Sequence, residues 1–474
     1  MKLYNTASKS IEDFQPLLGK AVTFYSCGPT VYDYTHIGHV RTYINNDVLK
    51  RALEYLGFTV NHVMNITDVG HLTGDDDTGE DKLEKGAVKS GKSVWDIVKL
   101  YTDHFKTTMK SVNVLDPTKT APATDHIPQM IALIKRLEEK RYTYETSEAI
   151  YFDTAKFKNY GLLSGQKLED KIQQAREEVH IDKDKKNKAD FALWFKRVGR
   201  FEKHTMHWDS PWGKGFPGWH IECSAMAMHY LGDTIDVHSG GIDHIPVHHE
   251  NEIAQSEAST GKTFVNYWFH NAFLMVENAK MSKSLGNFYT IEDVTKRRID
   301  PLSLRLLFLQ SHYRQTANFT WEAAEAAQKS LLKLREQVQS LMGQSDRPEL
   351  SPEKMSQIEQ FQNSFRMALE NDLNMPQALA VFWSMLKSNI PPPDKLDLAL
   401  SFDEVLGLGL NTLSTVKPAP QDIARLANKR EEARRAKNFA ESDRLRSEIE
   451  NRGYTIKDTT TGYILTKSQS HNSQ

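Results

Sequence analysis

Residues 20–64 hold the segment that most restricts the architecture. An apolar run at 20–26 is followed by a polar, Gly/Pro-bearing loop at 27–35. From about His39 to Phe58, Ile44, Val48, Leu49, Ala52, Leu53 and Leu56 recur at helical spacing. Residues 59–64 return to strand-like alternation. A strand–loop–helix–strand unit of this kind opens a parallel, doubly wound α/β sheet. It places His36-Ile37-Gly38-His39 at the helix N-terminus, where free N–H groups and the helix dipole favour anions.

The chain has 474 residues, too many for one core, so roughly two to four domains are expected. A net charge of −2 argues against an all-over basic coat for nucleic acid, though a local basic face stays open. No signal-like N-terminal stretch and no long uncharged apolar run occur, which predicts a cytoplasmic protein that does not span a membrane. The 2 cysteines, Cys27 and Cys223, then read as metal ligands, buried thiols or a nucleophile rather than a disulfide.

Between about Thr120 and Trp208 the strand–helix rhythm loosens, as an inserted domain would make it. The charged run at 180–188 reads as a solvated loop. From Gly218 the pattern tightens: a helix to Leu231, a strand at 234–238, a Gly-rich loop, a helix from about His248 to Ser259, then strands at 265–270 and 272–276. Beyond Thr290 the chain is mostly helical, with helices expected at 321–342 and 352–371. Residues 411–421 form the best linker candidate, ahead of one basic helix at 423–451.

Three clusters carry chemistry. His36 and His39 lie one helical turn apart, with Gly38 allowing close approach to the backbone. Lys280-Met281-Ser282-Lys283-Ser284, ahead of Leu285-Gly286-Asn287, sets two lysines and two hydroxyls on a short loop. Lysines are flexible point charges and suit a polyphosphate whose charge shifts during reaction. His248 and Glu252 are four apart, so one helical face offers both. Each cluster alone also reads as ordinary structure: two histidines that share a helical face by accident, a solvated turn, and small buried thiols beside a His pair that caps a helix. The first two in this order, separated by a second sheet half, are far more specific.

That pair resembles the HIGH and KMSKS signatures of class I aminoacyl-tRNA synthetases. The surrounding words resemble the cysteinyl-tRNA synthetase family: Cys27-Gly28-Pro29-Thr30-Val31-Tyr32-Asp33, Asn65-Ile66-Thr67-Asp68, Asp190-Phe191-Ala192-Leu193-Trp194, Ser210-Pro211-Trp212-Gly213, Gly218-Trp219-His220-Ile221-Glu222-Cys223-Ser224 and His248-His249-Glu250-Asn251-Glu252. The similarity runs to about Lys467. It implies a Rossmann-type doubly wound parallel sheet with an inserted domain, then a mostly helical region and a small anticodon-binding domain. The expected boundaries are 1–120 and 209–275 for the two catalytic halves, 121–208 for the insertion, 276–325 for the KMSKS-bearing unit, 326–415 for the helices and 416–474 for the anticodon domain.

The resemblance further implies one zinc ion on Cys27, Cys223, His248 and Glu252. Two thiolates, an imidazole and a carboxylate are chemically sound for Zn²⁺. Cysteine and serine differ by sulfur against oxygen, and a pocket that selects by size achieves only about one to two powers of ten. A thiophilic metal discriminates in kind, so zinc is implied as a selector and no editing domain is needed. The implied reaction joins L-cysteine to ATP (with Mg²⁺), giving cysteinyl-adenylate and pyrophosphate, and then passes cysteine to the terminal ribose of cysteine tRNA. His36, His39, Lys280 and Lys283 are the implied catalytic residues. Gly28, Thr30, Gly38, Gly240, Asp243 and Ser282 join them in nucleotide binding, and Thr67 and Trp219 close the amino-acid pocket.

Arg425, Lys429, Arg430, Arg434, Arg435 and Lys437 are the expected tRNA-facing cations, or else a solvated charged helix. A monomer is implied. Two rival readings are a ligase joining cysteine to an amino sugar and a non-catalytic zinc-containing RNA-binding paralogue. The departures from the family pattern are Phe216 in place of an arginine, a displaced proline in Ile245-Pro246-Val247, and no tryptophan after Gly462, where Tyr463 stands instead.

Overall fold

The computed structural model describes residues 1–70, 72, 81–165, 182–282, 286–342, 344, 347, 349–413, 420–458 and 463–467. Among these, five parallel strands form the central sheet, in spatial order Val265–Asn271, Ile235–Gly241, Ala21–Ser26, Thr59–Ile66 and Lys119–Pro122. A parallel sheet covered on both faces needs near-continuous apolar strands, and Val22, Phe24, Tyr25, Val60, Val63, Ile235 and Val237 are buried. The chain moves outward from Ala21–Ser26 to Thr59–Ile66 and Lys119–Pro122. It then returns on the opposite side with Ile235–Gly241. Where strand order reverses, a crevice opens beyond the carboxyl ends of those two neighbours.

The opening unit is present as Ala21–Ser26, the helix Ile37–Tyr55 and Thr59–Ile66. The helix begins ahead of its first apolar repeat because His36 caps it. Its Nδ1 accepts from the N–H groups of Gly38 and His39 at 3.1 and 3.2 Å.

Between Lys119–Pro122 and Ile235–Gly241 lies a four-stranded antiparallel sheet: Thr143–Glu145, Ala149–Phe152, Phe191–Lys196 and Gly215–Pro217. Its short hairpin strands explain the lost strand–helix rhythm. In the charged run at 180–188, residues 180 and 181 lie outside the described residues. Asp182 is buried and accepts from Thr146 Oγ1 at 2.7 Å, whereas Lys183, Lys186 and Lys188 are exposed.

Leu274–Val276 pairs with Ala279–Lys280 and, in parallel, with Ala317–Phe319. Helices Trp321–Met342, Pro352–Glu370, Met375–Lys387 and Pro392–Leu406 follow. Pro352 and Pro392 occupy first-turn positions, where a missing N–H costs nothing. Of the linker at 411–421, residues 414–419 lie outside the described residues.

The basic segment at 423–451 is not one helix but two, Gln421–Arg435 and Phe439–Asn451. Lys437 turns the chain with φ 59°, and Asn438 starts the second helix by accepting from Glu441 N–H at 3.3 Å. The alternation of charges runs through this turn unbroken and gives no sign of it.

A buried arginine ties the helical body to the sheet. Arg305, in the helix Pro301–Leu309, donates to Asp47 Oδ2 at 2.6 Å, to Leu406 O at 2.5 Å and to Asn113 O at 3.1 Å. Asp47, in the HIGH-bearing helix, also receives Arg51 Nε at 2.7 Å. Gly407, at φ +63°, makes room, since a Cβ there would meet the guanidinium at 2.6 Å. Removing one partner of a buried pair strands the other charge. Asp47→Ala is therefore expected to destabilise the protein by about 3–5 kcal/mol. Calorimetry would show a lowered thermal midpoint; an unchanged midpoint would mean the contact is energetically idle.

Candidate active site

Cys27 follows the Ala21–Ser26 strand directly, and its N–H donates to Ser239 O of the neighbouring strand at 2.9 Å. The helices Trp219–Leu231 and His248–Thr260 bring Cys223, His248 and Glu252 over the same end of the sheet. One ligand atom from each of Cys27, Cys223, His248 and Glu252 lies within 4.8 Å of the others, and all four residues are buried. A second set overlaps with it: Cys27, His238, His249 and Glu252. His238 Nε2 is 2.9 Å from Glu252 Oε2, and His249 Nδ1 is 2.7 Å from His270 Nε2. Sequence reading counted His238 only as strand and left His249 without a role. The signal for both is position at the sheet's carboxyl edge, which needs the strand order.

The helix His248–Thr260 is polar in sequence yet sunk in the protein; His248, His249, Glu250, Asn251, Glu252, Gln255 and Ser256 are all buried. Such groups need partners. Glu250 accepts from the N–H groups of Gly161 and Ser164 at 2.7 and 2.9 Å, and Gln255 Nε2 donates to Ser224 Oγ at 2.7 Å. Glu252 Oε1 and Gln255 Oε1 are the exceptions in this helix. Glu252 Oε1 lies 3.0 Å from His248 Nε2 as an ion pair, outside hydrogen-bond direction. Two thiols, an imidazole and an under-satisfied carboxylate, enclosed together, fit a divalent metal ion.

Protons are unevenly shared in this cluster. Hydrogen bonding from Cys27 holds the Cys223 thiol down at about 6 against burial, while burial pushes Cys27 itself up. Burial alone would lower His248, but the Glu252 charge and the Cys223 contact carry it to about 10. Burial would raise Glu252, but the charges of His238 and His248 hold it at about 2. Near neutral pH the metal-free cluster therefore keeps protons on Cys27 and His248.

Thr67 and Trp219 border the donor set. Thr67 Oγ1 donates to the buried Glu222 at 2.9 Å and accepts from Asn65 Nδ2 at 3.1 Å. The Trp219 ring lies 4.4 Å from that of His248. Gly28 has no space for a side chain, because a Cβ would strike Asn65 O; its N–H donates to Asn65 Oδ1 at 2.6 Å. Thr30 bridges to Thr67 on the adjacent strand line. Gly240 is the last residue but one of the neighbouring strand, where a Cβ would meet His244 and His249 at 2.6 Å, and Asp243 stands exposed in the next turn.

The two phosphate motifs meet across the crevice. The rings of His36 and His39 stack with centroids 3.5 Å apart, and His36 also contacts Phe288 edge-on. Ile37 N–H donates to Tyr289 O at 2.9 Å, and Met281 Cε comes within 3.5 Å of the Cβ position of Gly38. Lys280 is exposed. Ser282 N–H donates to Asn287 Oδ1 at 2.7 Å, and Asn287 Nδ2 donates to Lys280 O at 3.2 Å. Asn287 is thus a staple of the loop that sequence reading left unassigned. Lys283 lies outside the described residues.

Residues 13–329 match the family described as tRNA synthetases class I (C) catalytic domain. The chain is 44% identical to cysteine–tRNA ligase 1 of Burkholderia lata over 98% of its own length and 96% of that protein's. It is 43% identical to cysteine–tRNA ligase of Treponema denticola over 97% and 98% of the two chains. This chain belongs to the cysteinyl-tRNA synthetases. Solved class I structures share its fold: Mycobacterium tuberculosis methionyl-tRNA synthetase with methionyl-adenylate at TM-score 0.56 and 14% identity, covering 82% and 90% of the chains. The ternary complex of Agrobacterium radiobacter K84 agnB2 LeuRS with tRNA and LeuAMS gives 0.54 at 13% identity, covering 84% of each.

Within this cysteinyl-tRNA synthetase, the departures from the family pattern have physical readings. Phe216 is fully buried, stacks on His204 with centroids 4.0 Å apart, and packs against Phe195 and Phe201. An aromatic wall thus stands where the pattern has an arginine. The displaced Pro246 precedes a helix that starts at His248 with no side-chain cap. Gly462 lies outside the described residues. Tyr463 OH donates to Asn428 Oδ1 at 2.5 Å, joining the terminal strand to the first basic helix. Arg430 is buried and ion-paired with Asp458, so it braces this unit from inside instead of facing RNA. Among the described residues, no helix is long and apolar enough to cross a membrane.

Metal ligands must shed their protons. If this donor set takes up a divalent metal ion, titrating the ion into metal-free protein at neutral pH is expected to release about two protons, one from the thiol pair and one from His248. Affinity should rise with pH, by up to about 100-fold per unit while both protons are held. Calorimetry in buffers of different ionisation enthalpy reads this, and release near zero would exclude these donors.

Proposed function

We infer that this chain is a cysteine–tRNA ligase: it activates L-cysteine with ATP and passes cysteine to the 3′ end of cysteine tRNA. One observation carries the reading. The buried donor set of two thiols, an imidazole and a carboxylate stands at the carboxyl ends of Ala21–Ser26 and Ile235–Gly241, and the first of these strands leads directly into the helix that carries the HIGH motif. The full-length likeness to relatives named cysteine–tRNA ligases supports it.

The metal we assign is zinc, on Cys27, Cys223, His248 and Glu252. His238 Nε2 lies 2.9 Å from Glu252 Oε2, and His249 bridges from Cys27 Sγ at 3.4 Å to His270 Nε2 at 2.7 Å, so both can orient the donors as a supporting shell. When bound, zinc supplies a thiophilic position that prefers a thiolate to a hydroxyl. Thr67 and Trp219 wall the cysteine. Gly28 and Gly240 let the protein's own Asn65, His244 and His249 pack against the backbone that lines the nucleotide site, and the Asp243 carboxylate is placed to accept from ribose hydroxyls. His36 and His39 donate to the phosphates as charge builds, and Lys280, Ser282 and Lys283 hold the departing pyrophosphate. Adenylate formation asks for little covalent chemistry from the protein, so position and electrostatics dominate. Arg434, Arg435 and Lys437 present cations to tRNA from the C-terminal unit. The enzyme acts as a cytoplasmic monomer.

Cysteine-dependent ATP–pyrophosphate exchange tests this directly, with serine expected to be weaker by more than about 10²-fold. Equal exchange with both amino acids would sink the metal selector. Exchange without charging of cysteine tRNA would favour the amino-sugar ligase, and no exchange by zinc-loaded protein would favour a binding protein. Cys223→Ser should lose zinc and cysteine binding together while ATP binding persists. Lys280→Ala should lower the exchange kcat by about 10²–10³-fold; an unchanged kcat would remove it from the pyrophosphate site.

A further inference from the structure

Arg41 follows the HIGH motif by two residues, in the same helix, and is buried to 1% exposure. Among the described residues, no carboxylate is paired with it. Instead its Nη1 donates to Ala272 O at 2.5 Å and Phe273 O at 3.1 Å, and its Nη2 to His312 O at 3.2 Å and Gln315 O at 2.6 Å. Burial pushes this guanidinium down only to about 10, so it stays charged at neutral pH. A buried cation held by carbonyls alone, with its Nε left without a hydrogen-bond partner, is costly, and an ordinary core position would hold an apolar side chain more favourably. Something specific is obtained in exchange for that cost.

The four carbonyls show what it is. Residues 272–273 lead into the strand Leu274–Val276, and residues 312–315 lead into Ala317–Phe319, its parallel partner. The third strand of this small sheet, Ala279–Lys280, pairs with the first and delivers Lys280 to the crevice. Phe273 O also accepts from Ala317 N–H at 3.2 Å, so the two approaches are already joined. The fork of Arg41 grips both at once. On the far side of the loop, Ile37 N–H holds Tyr289 O, and His36 bridges to Thr290. The described segments on either side of the KMSKS motif are thus held at two anchors, both on the HIGH helix.

We propose that Arg41 is a positioning residue for adenylate formation, a clamp that sets the separation of the HIGH and KMSKS halves of the phosphate site. This rests on the reading above that the chain activates an amino acid with ATP. Only a planar, five-donor fork reaches two carbonyl pairs on separate segments; a lysine ammonium reaches one. Transition-state placement is sensitive to shifts of about 1 Å, for which a loss near 10²-fold is expected.

The test is Arg41→Lys, with Arg41→Gln beside it, in the full-length zinc-loaded protein. Exchange kcat is expected to fall by about 10²-fold or more. Zinc content, and equilibrium binding of cysteine measured without ATP, should match wild type. Backbone hydrogen exchange should rise at 272–280 and 312–319 and stay unchanged at 219–231 and 248–260. An unchanged kcat would overturn the proposal, as would unchanged hydrogen exchange at the clamped strands. So would an even loss of zinc, cysteine binding and exchange, since Arg41 would then be a general core residue. Wild-type protein that shows no exchange fails the ligase reading itself and leaves hydrogen exchange to decide whether the clamp exists.

Discussion

The parallel pairing of Ala21–Ser26 with Ile235–Gly241 is the constraint from which the site follows. These strands are far apart in sequence, yet Ser26 and Ser239 share a register and Cys27 N–H bonds to Ser239 O. The pairing fixes where Cys27, Gly28 and Gly240 stand, and it aims the helices that follow each strand across one crevice. The HIGH motif and the cluster of buried thiol, imidazole and carboxylate groups therefore share a floor. A slip of register would separate them, because successive residues of a strand point to opposite faces.

Around that floor the protein buries far more polarity than a core needs. The cluster of Cys27, Cys223, His248 and Glu252 is held by neighbours such as Glu250 and Gln255, whose hydrogen bonds are nearly all made within the protein. A satisfied polar network is rigid, and an unsatisfied oxygen inside it is expensive. Glu252 Oε1 is left in that second condition, as a ligand waiting for a cation would be. Buried arginines play the complementary part. Arg305 joins the HIGH-bearing helix to the helical body through Asp47.

Much of this was legible in the sequence, for identifiable reasons. The strand–loop–helix–strand opening announced itself because Ile44, Val48, Leu49, Ala52 and Leu53 face the core at helical spacing and all are buried. Among the described residues, Cys27, Cys223, His248 and Glu252 come together, and short motifs keep their local geometry: His36 caps the very helix that its motif begins. Other features stayed hidden because they depend on long-range neighbours. His238 gained its partner only through strand order, and Asn287 became a staple only when the loop folded back onto it. The turn at Lys437 was masked by charges that continue across it, and Arg430 looked like a surface cation until Asp458 met it. The basic tract thus carried the right composition but not the division into inside and outside.

The central claim is that the four buried donors form one metal centre with two sulfur ligands. Zinc K-edge X-ray absorption on the purified protein measures that most directly. A centre on Cys27, Cys223, His248 and Glu252 requires two sulfur scatterers near ~2.3 Å and two nitrogen or oxygen scatterers near ~2.0–2.1 Å. A single sulfur with three lighter ligands would move the metal to the overlapping set with His238 and His249. That result would contradict the account of how cysteine is told from serine.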